Sequence, residues 1–109
     1  MLQKRRVKYS PAAVDDMDEI FSYISQHNVY AAENMLEKLN SSILGLADFP
    51  NAGSVLSEDE YSLIQRGYRF IVVNPYLIFY RIMNGDTVVI HRILHGRRDY
   101  LRELFGSFE

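Results

Sequence analysis

Apolar residues repeat with a helical period in the first half of the chain and with a strand period in the second. Before residue 50 they recur at intervals of three and four positions, which gives each segment one apolar face. From residue 63 onward, β-branched and aromatic residues dominate and the period changes to two. The pattern therefore predicts two amphipathic helices followed by a group of strands.

The first predicted helix is preceded by a short strand. Residues 4–9 alternate weakly between charged and apolar side chains, as a half-buried strand would. Ser10 and Pro11 then supply a hydroxyl cap and a proline at the first helical position. We expect this helix to end near residues 26–28. Its apolar stripe is predicted to consist of Val14, Met17, Ile20, Phe21 and Ile24.

The second predicted helix begins at Asn28, whose side chain can cap it, and ends before Pro50. The turn-forming residues that follow, up to Gly53, do not continue a helix. Because only a few residues separate the two helices, we expect an antiparallel hairpin. The buried stripe of the second helix is predicted to be Ala32, Met35, Leu36, Leu39, Ile43 and Leu46.

The second half of the chain predicts an antiparallel meander of three strands. Residues 54–62 are polar and acidic and predict a loop. The strands are predicted at residues 68–73, 76–83 and 87–94, with Asn84-Gly85-Asp86 as a hairpin turn. A short C-terminal helix is predicted at residues 100–105. The fold class is therefore α+β, with the helices covering one face of the sheet.

The composition is that of an ordinary globular protein and excludes several kinds of chemistry. The chain has 109 residues, 48% hydrophobic and 24% charged, and we assign residues 1–109 to a single domain. Without cysteine it has no disulfides, thiolate metal ligands or cysteine nucleophile, which fits a cytoplasmic protein. No apolar run approaches the roughly 20 residues that cross a bilayer, and we expect no signal peptide.

The net charge of −2 conceals a strong segregation of charge along the chain. Residues 1–9 are basic, residues 10–60 carry ten acidic side chains against one lysine, and residues 61–102 carry seven arginines against two aspartates. One interpretation is a protein with two differently charged faces, one of which meets an anionic partner. The other is that solvated helices expose acids while strands expose arginines. Both remain open from the charges alone.

The densest polar cluster follows the last predicted strand. His95 lies in a glycine turn, Arg97 and Arg98 come next, and Asp99 can cap the C-terminal helix. Arginine forks near a helix start are suited to a phosphate or a carboxylate. A histidine in such a turn can exchange a proton near neutral pH, or it can simply bond to backbone. The cluster is therefore a candidate binding or catalytic site.

Three further arginines occupy the meander strands, where an apolar face tolerates an arginine only if it is paired or lies at a rim. We predict structural pairing for Arg81 and Arg92, and leave Arg69, which is nearer an edge, open. The numerous helix carboxylates are interpreted as solvated. Strict alternation places each arginine on the same face of its strand as apolar neighbours. These are Ile71 and Val73 for Arg69, Leu77 and Phe79 for Arg81, and Val88, Ile90 and Leu94 for Arg92.

No metal or other cofactor is predicted. Alternation places His91 and His95 on one face of a strand, about 13 Å apart along it, which is too far for both to ligate one ion. The chain also lacks cysteine, a helical pair of histidines, a glycine-rich phosphate loop and a Ser-His-Asp arrangement.

The order of elements and three motifs resemble the RelE/ParE superfamily of toxins from type II toxin–antitoxin modules. The motifs are LADFPNAG at the exit of the second helix, YLIFYRI in a strand, and RILHGRRD at the end of the meander. The resemblance covers nearly the whole chain, and RILHGRRD is its most specific part. It implies the small α+β toxin fold and a cognate antitoxin that wraps a flexible tail over the toxin.

The superfamily has two branches that differ in activity. A RelE-like toxin cleaves messenger RNA on the ribosome, and the resemblance would then assign catalysis to Arg69, His95, Arg98 and Tyr100. In such a mechanism arginines stabilise the charge on the phosphate, and His95 or Tyr100 moves the proton of the 2′-hydroxyl. The chain departs from that branch because residues 48–62 contain no lysine and are acidic. A pI of about 5.9 is also unfavourable for binding RNA phosphates.

A ParE-like toxin inhibits DNA gyrase and requires no catalytic residues, and the RILHGRRD ending is more similar to that branch. We therefore favour a ParE-like toxin in which Arg69, His95, Arg97 and Arg98 bind the target. The alternatives are a RelE-like ribonuclease and an inactive homologue that only binds its antitoxin. A homodimer and a hetero-oligomer with the antitoxin are both open.

Overall fold

The structure is a computed structural model that describes residues 6–55 and 67–96. In this part of the chain a mixed sheet with the strand order β1-β5-β4-β3-β2 packs against two helices. No helix among the described residues is long and apolar enough to cross a membrane. The elements are β1 (Arg6–Tyr9), α1 (Pro11–Ser25), α2 (Val29–Asp48), β2 (Ser54–Val55), β3 (Arg69–Val73), β4 (Tyr76–Met83) and β5 (Thr87–His95).

Both helices begin at the caps that the sequence predicts. The Ser10 side chain accepts a hydrogen bond from the Ala13 amide at 3.0 Å, with Pro11 at the first helical position. The Asn28 side chain accepts one from the Ala31 amide, also at 3.0 Å. Each bond satisfies an amide that the first helical turn leaves without a backbone partner. The predicted boundaries of the helix hairpin are therefore confirmed.

The core lies between the helices and one face of the sheet. The predicted stripe of α2 is confirmed, since all six of its residues are buried or half-buried. On α1 the prediction for Val14 was wrong, because this side chain is 46% exposed whereas its neighbour Ala13 is completely buried. Ala13 is small enough to bring α1 close to the sheet, which turns Val14 toward solvent. The sheet contributes Tyr76, Ile78, Tyr80, Val88, Ile90 and Ile93 to this core.

The predicted α+β fold is confirmed, and the sheet is wider than the predicted meander. The three meander strands pair antiparallel as expected. The N-terminal strand β1 adds to β5 in parallel. Ser54 and Val55, predicted to be loop, form β2 and pair with Phe70 and Arg69 of β3. A strand of two residues is too short for alternation to reveal it. The C-terminal helix predicted at residues 100–105 lies outside the described residues.

A β-bulge in β5 changes the predicted arrangement of its side chains. Tyr80 pairs with Ile90 but Phe79 pairs with Arg92, so that His91 is an extra residue on β5. After the bulge Ile93 joins Val88 and Ile90 in the core cluster, whereas strict alternation assigned Leu94 to that face.

The same bulge separates the two histidines of β5. The His91 ring contacts Tyr68, which also lies under the Arg81 guanidinium, whereas His95 pairs with Tyr76 on the core side. The prediction that His91 and His95 share one face of the strand was therefore wrong.

Candidate functional site

The end of β5 is fixed against the turn that joins β3 and β4. The His95 ring meets the Tyr76 ring edge to face, with 5.8 Å between the centroids. The Gly96 amide donates a hydrogen bond to the Pro75 carbonyl at 2.8 Å. A Cβ atom at Gly96 would lie 3.3 Å from that carbonyl oxygen, which is a tight contact for a side chain. Burial, and to a lesser degree Tyr23, raises the pKa of the Tyr76 phenol, which therefore stays neutral near pH 7.

His95 borders an open cleft between α1 and the ends of β4 and β5. The cleft has a volume of about 820 Å³. Its lining is more apolar than polar, and its polar side chains include Glu19 and His95. Its lining consists of Asp16, Glu19, Ile20, Tyr23, Ile24, Met35, Pro75, Tyr76, Arg92, Ile93, Leu94 and His95. A cleft of this size and character can receive apolar side chains of a protein partner.

Asp16 and Arg92 form an ion pair between α1 and β5. The Arg92 Nε donates to one carboxylate oxygen of Asp16 at 2.7 Å, and Nη2 donates to the other at 2.8 Å. The structural pairing predicted for Arg92 is therefore confirmed. The interpretation of the helix carboxylates as solvated is wrong for Asp16, which is only 7% exposed. The missed signal was the position of Asp16 in the helix, three residues after the buried Ala13 and four before Ile20 on the stripe that faces the sheet.

Arg69 lies in a different part of the molecule, at the end of α2. Its Nη1 donates to the Gly53 carbonyl at 2.9 Å. Gly53 in turn donates its amide to the Tyr80 hydroxyl, which donates to the Pro50 carbonyl. Burial raises the pKa of the Tyr80 phenol, although the Gly53 amide and Arg69 oppose this shift. The guanidinium of Arg69 is thus a structural partner of the chain that leaves α2.

The structure does not bring Arg69 and His95 together. Arg69 pairs with Tyr80, and His95 pairs with Tyr76, on opposite sides of β4. With about 3.3 Å per residue along a strand and about 4.8 Å between strands, their Cα atoms are roughly 16 Å apart. The other site residues predicted from the sequence, Arg97, Arg98 and Tyr100, lie outside the described residues.

The remaining polar groups of the meander serve local contacts. The Arg81 guanidinium carbon lies 5.0 Å from the centre of the Tyr68 ring, which is a cation–π contact. Within residues 6–55 and 67–96, no three His, Asp or Glu side chains lie close enough to hold a metal ion.

Comparison with known proteins identifies the class of protein to which this fold and this strand ending belong. The family model described as the ParE toxin of the type II toxin–antitoxin system parDE matches residues 7–100. The chain is 33% identical over 90 residues to Toxin ParE3 of Caulobacter vibrioides, across 82% of this chain and 84% of that protein. It is 32% identical over 100 residues to Toxin ParE1 of Mycobacterium tuberculosis, across 91% and 97% respectively.

Two further matches complete this comparison. Toxin RelE2 of Caulobacter vibrioides is 31% identical over 93 residues, across 85% of this chain and 97% of that protein. A solved structure of a chromosomal ParDE system from P. aeruginosa aligns with a TM-score of 0.66 at 21% identity, across 84% of this chain and 96% of that chain. That structure supports the fold alone.

The protein is thus a toxin of a type II toxin–antitoxin system. Within that class, the chain belongs to the ParE toxin family, and the family implies an antitoxin partner.

Proposed function

We propose that this toxin inhibits DNA gyrase and that a cognate antitoxin neutralises it in the cytoplasm. The observation that carries the proposal is the ParE family match, which runs through the end of β5 and all three arginines of the RILHGRRD motif. The residues of that motif that we assign to the target form the recognition segment, residues 95–98. In this proposal the recognition segment binds gyrase and performs no proton transfer.

The chemistry of the recognition segment is suited to a protein surface. Two adjacent arginines can form paired hydrogen bonds with carboxylates, and the neighbouring cleft can accept apolar side chains. His95 borders that cleft, with its ring against Tyr76. We assign Arg69 a smaller contribution to gyrase binding than His95, because the Arg69 guanidinium donates a hydrogen bond to the Gly53 carbonyl.

A gyrase supercoiling assay with purified protein tests the proposal. We expect inhibition, or trapped cleavage complexes, at micromolar or lower concentration. His95→Ala and the double variant Arg97→Ala/Arg98→Ala should each weaken inhibition by roughly tenfold or more, which corresponds to about 1.4 kcal/mol of binding free energy. His27→Ala is the matched control, because His27 is exposed at the helix hairpin. No inhibition by the wild-type protein at micromolar concentration refutes the proposal.

A growth assay decides whether the protein is an active toxin. Induced expression without an antitoxin should arrest growth, and coexpression with the antitoxin should restore it. Purification of the two proteins together, followed by light scattering, gives the stoichiometry of the complex. Unimpaired growth at verified expression levels would instead indicate the inactive homologue that only binds its antitoxin.

The second candidate function is ribosome-dependent cleavage of messenger RNA, favoured by the 31% identity to Toxin RelE2. It requires Arg69 and His95 to act on the same phosphate, which their separation of roughly 16 Å opposes. Cleavage of a message on the ribosome, abolished by Arg69→Ala or His95→Ala, would favour it. Because Arg69 also bonds to Gly53, Tyr80→Phe serves as a control that disturbs the same contacts without removing the cation.

A further inference from the structure

Helix α1 and its N-cap residue Ser10 bond to backbone groups of β5 on both sides of the bulge. On one side, the Ser10 amide donates to the Ile90 carbonyl at 2.9 Å. The Ser10 hydroxyl donates to the His91 carbonyl at 2.7 Å. On the other side, the Ile93 amide donates to the Asp16 carboxylate at 2.9 Å. Three backbone groups of β5 around the bulge are thus bonded by Ser10 and Asp16.

Asp16 is the centre of this contact. Its carboxylate accepts two hydrogen bonds from Arg92 in addition to the one from the Ile93 amide. Its side chain is 8% exposed and that of Arg92 is 20% exposed, so that water screens the pair only partly. The carboxylate thus binds a side chain and a backbone amide of two consecutive residues, directly after the bulge.

The bulge decides which way the end of β5 points. With it, Ile93 pairs with Ile78 and His95 pairs with Tyr76 on the core side. Without the extra residue, Ile93 and His95 would point to the other face of the sheet, and His95 would leave the cleft. A group that holds Arg92 and Ile93 in the bulged register therefore also determines where His95 lies.

We infer that Asp16 is a positioning residue of the toxin: by holding Arg92 and Ile93 it fixes the direction in which His95 points toward the cleft. This role rests on the proposed function, because it matters for activity only if His95 binds the target. The α1 residue never needs to touch gyrase. The effect of Asp16 reaches His95 through its bonds to Arg92 and Ile93.

The test is Asp16→Asn, which removes the charge and keeps an oxygen that can accept from Ile93. Asp15→Asn is the matched control, since Asp15 is on the same helix and exposed. The imidazole resonances of the three histidines are recorded by NMR in each folded variant. In Asp16→Asn the signals of His91 and His95 should move while that of His27 remains in place. Asp15→Asn should leave all three unchanged.

The same variants are then compared in the supercoiling assay. Asp16→Asn should require roughly tenfold more protein for half-inhibition than the wild type, and Asp15→Asn should match the wild type. An unmoved His95 resonance in folded Asp16→Asn overturns the inference, even if the melting temperature falls. If the His95 resonance of Asp16→Asn moves but the variant inhibits gyrase fully, then Asp16 does position His95. That result overturns the proposed role of His95 in binding gyrase.

If Asp16→Asn does not fold, Asp16→Leu/Arg92→Leu replaces it in both measurements. Removing both charges together avoids leaving one ion buried without its partner, which is the destabilising case. The expected results are the same as for Asp16→Asn, and a wild-type His95 resonance in this variant overturns the inference.

Discussion

Replacing Tyr80 by phenylalanine should destabilise the protein substantially while leaving its shape unchanged. Tyr80 is completely buried, and its hydroxyl is the only atom that the substitution removes. That hydroxyl donates to the Pro50 carbonyl at 2.7 Å and accepts from the Gly53 amide at 2.9 Å. Pro50 and Gly53 are themselves buried, which makes it difficult for water to replace the lost partner.

The size of the stability loss follows from the Pro50 carbonyl and the Gly53 amide, which the substitution leaves without a hydrogen-bond partner. A buried donor or acceptor that loses its hydrogen bond costs about 1–3 kcal/mol. The two groups together should therefore lower the free energy of unfolding by roughly 2–4 kcal/mol, with some relaxation of the neighbouring chain. For a protein of this size, each kcal/mol corresponds to a fall in melting temperature of about 4 °C or more. We expect a decrease of at least about 8 °C.

Urea unfolding followed by circular dichroism measures this change directly. The midpoint should shift and the slope should stay constant, because the surface exposed on unfolding is the same. Tyr30→Phe is the control, since it deletes the same hydroxyl from a side chain that is 79% exposed. If Tyr80→Phe lies within about 0.5 kcal/mol of the wild type, as surface substitutions usually do, the assignment of the hydroxyl to Pro50 and Gly53 is refuted.

Further predictions concern the turns, the helices and the pH dependence of stability. Gly85→Ala should lower the free energy of unfolding by about 1 kcal/mol, because Gly85 has φ +79°. Gly45→Ala should raise it by about 0.5–1 kcal/mol, because Gly45 lies within α2 and a Cβ atom there would meet no neighbour within 4 Å. Urea midpoints of the two variants must therefore move in opposite directions. Burial raises the pKa of the Tyr80 phenol, so that the unfolded chain ionises first and stability should fall as the pH rises above about 10. In Tyr80→Phe this alkaline decline should be shallower, and an equally steep decline would contradict the assigned burial effect.

The features predicted correctly from the sequence are those determined by neighbouring residues. The caps at Ser10 and Asn28 bond to amides three residues away, and chain geometry alone brings those groups together. The hairpin turn is similarly local, since Asn84 and Gly85 both adopt positive φ. Periodicity adds the buried face of α2, because a helix with one apolar stripe has one way to bury it.

The features that the sequence did not reveal depend on contacts between distant segments. Asp16 and Arg92 are 76 positions apart, and nothing near either residue indicates which of the many acids and arginines form the pair. The bulge at His91 adds a single residue to β5 and leaves the composition of the strand ordinary. Strict alternation fails at that one residue, and Ile93 and His95 then lie on the face opposite to the one that alternation assigns.

The motifs that carry the resemblance to known toxins have different physical roles, and this determines which of them can support a functional conclusion. LADFPNAG and YLIFYRI meet in the structure, where Pro50 and Gly53 bond to Tyr80. A Cβ atom at Gly53 would lie 2.5 Å from the Tyr80 hydroxyl, so that glycine is required there by packing. These two motifs are explained by the fold, and a fold can serve more than one activity.

Some residues of the RILHGRRD motif are explained by the fold, and others are assigned to target binding. Arg92 and Ile93 are explained by their bonds to Asp16, and Gly96 by its close approach to Pro75. The proposed function assigns His95, Arg97 and Arg98 to the binding of the target. Substitutions at these three positions should therefore change inhibition of the target with little change in stability. A loss of stability equal to that of Tyr80→Phe would instead assign them to the fold and contradict their assignment to target binding.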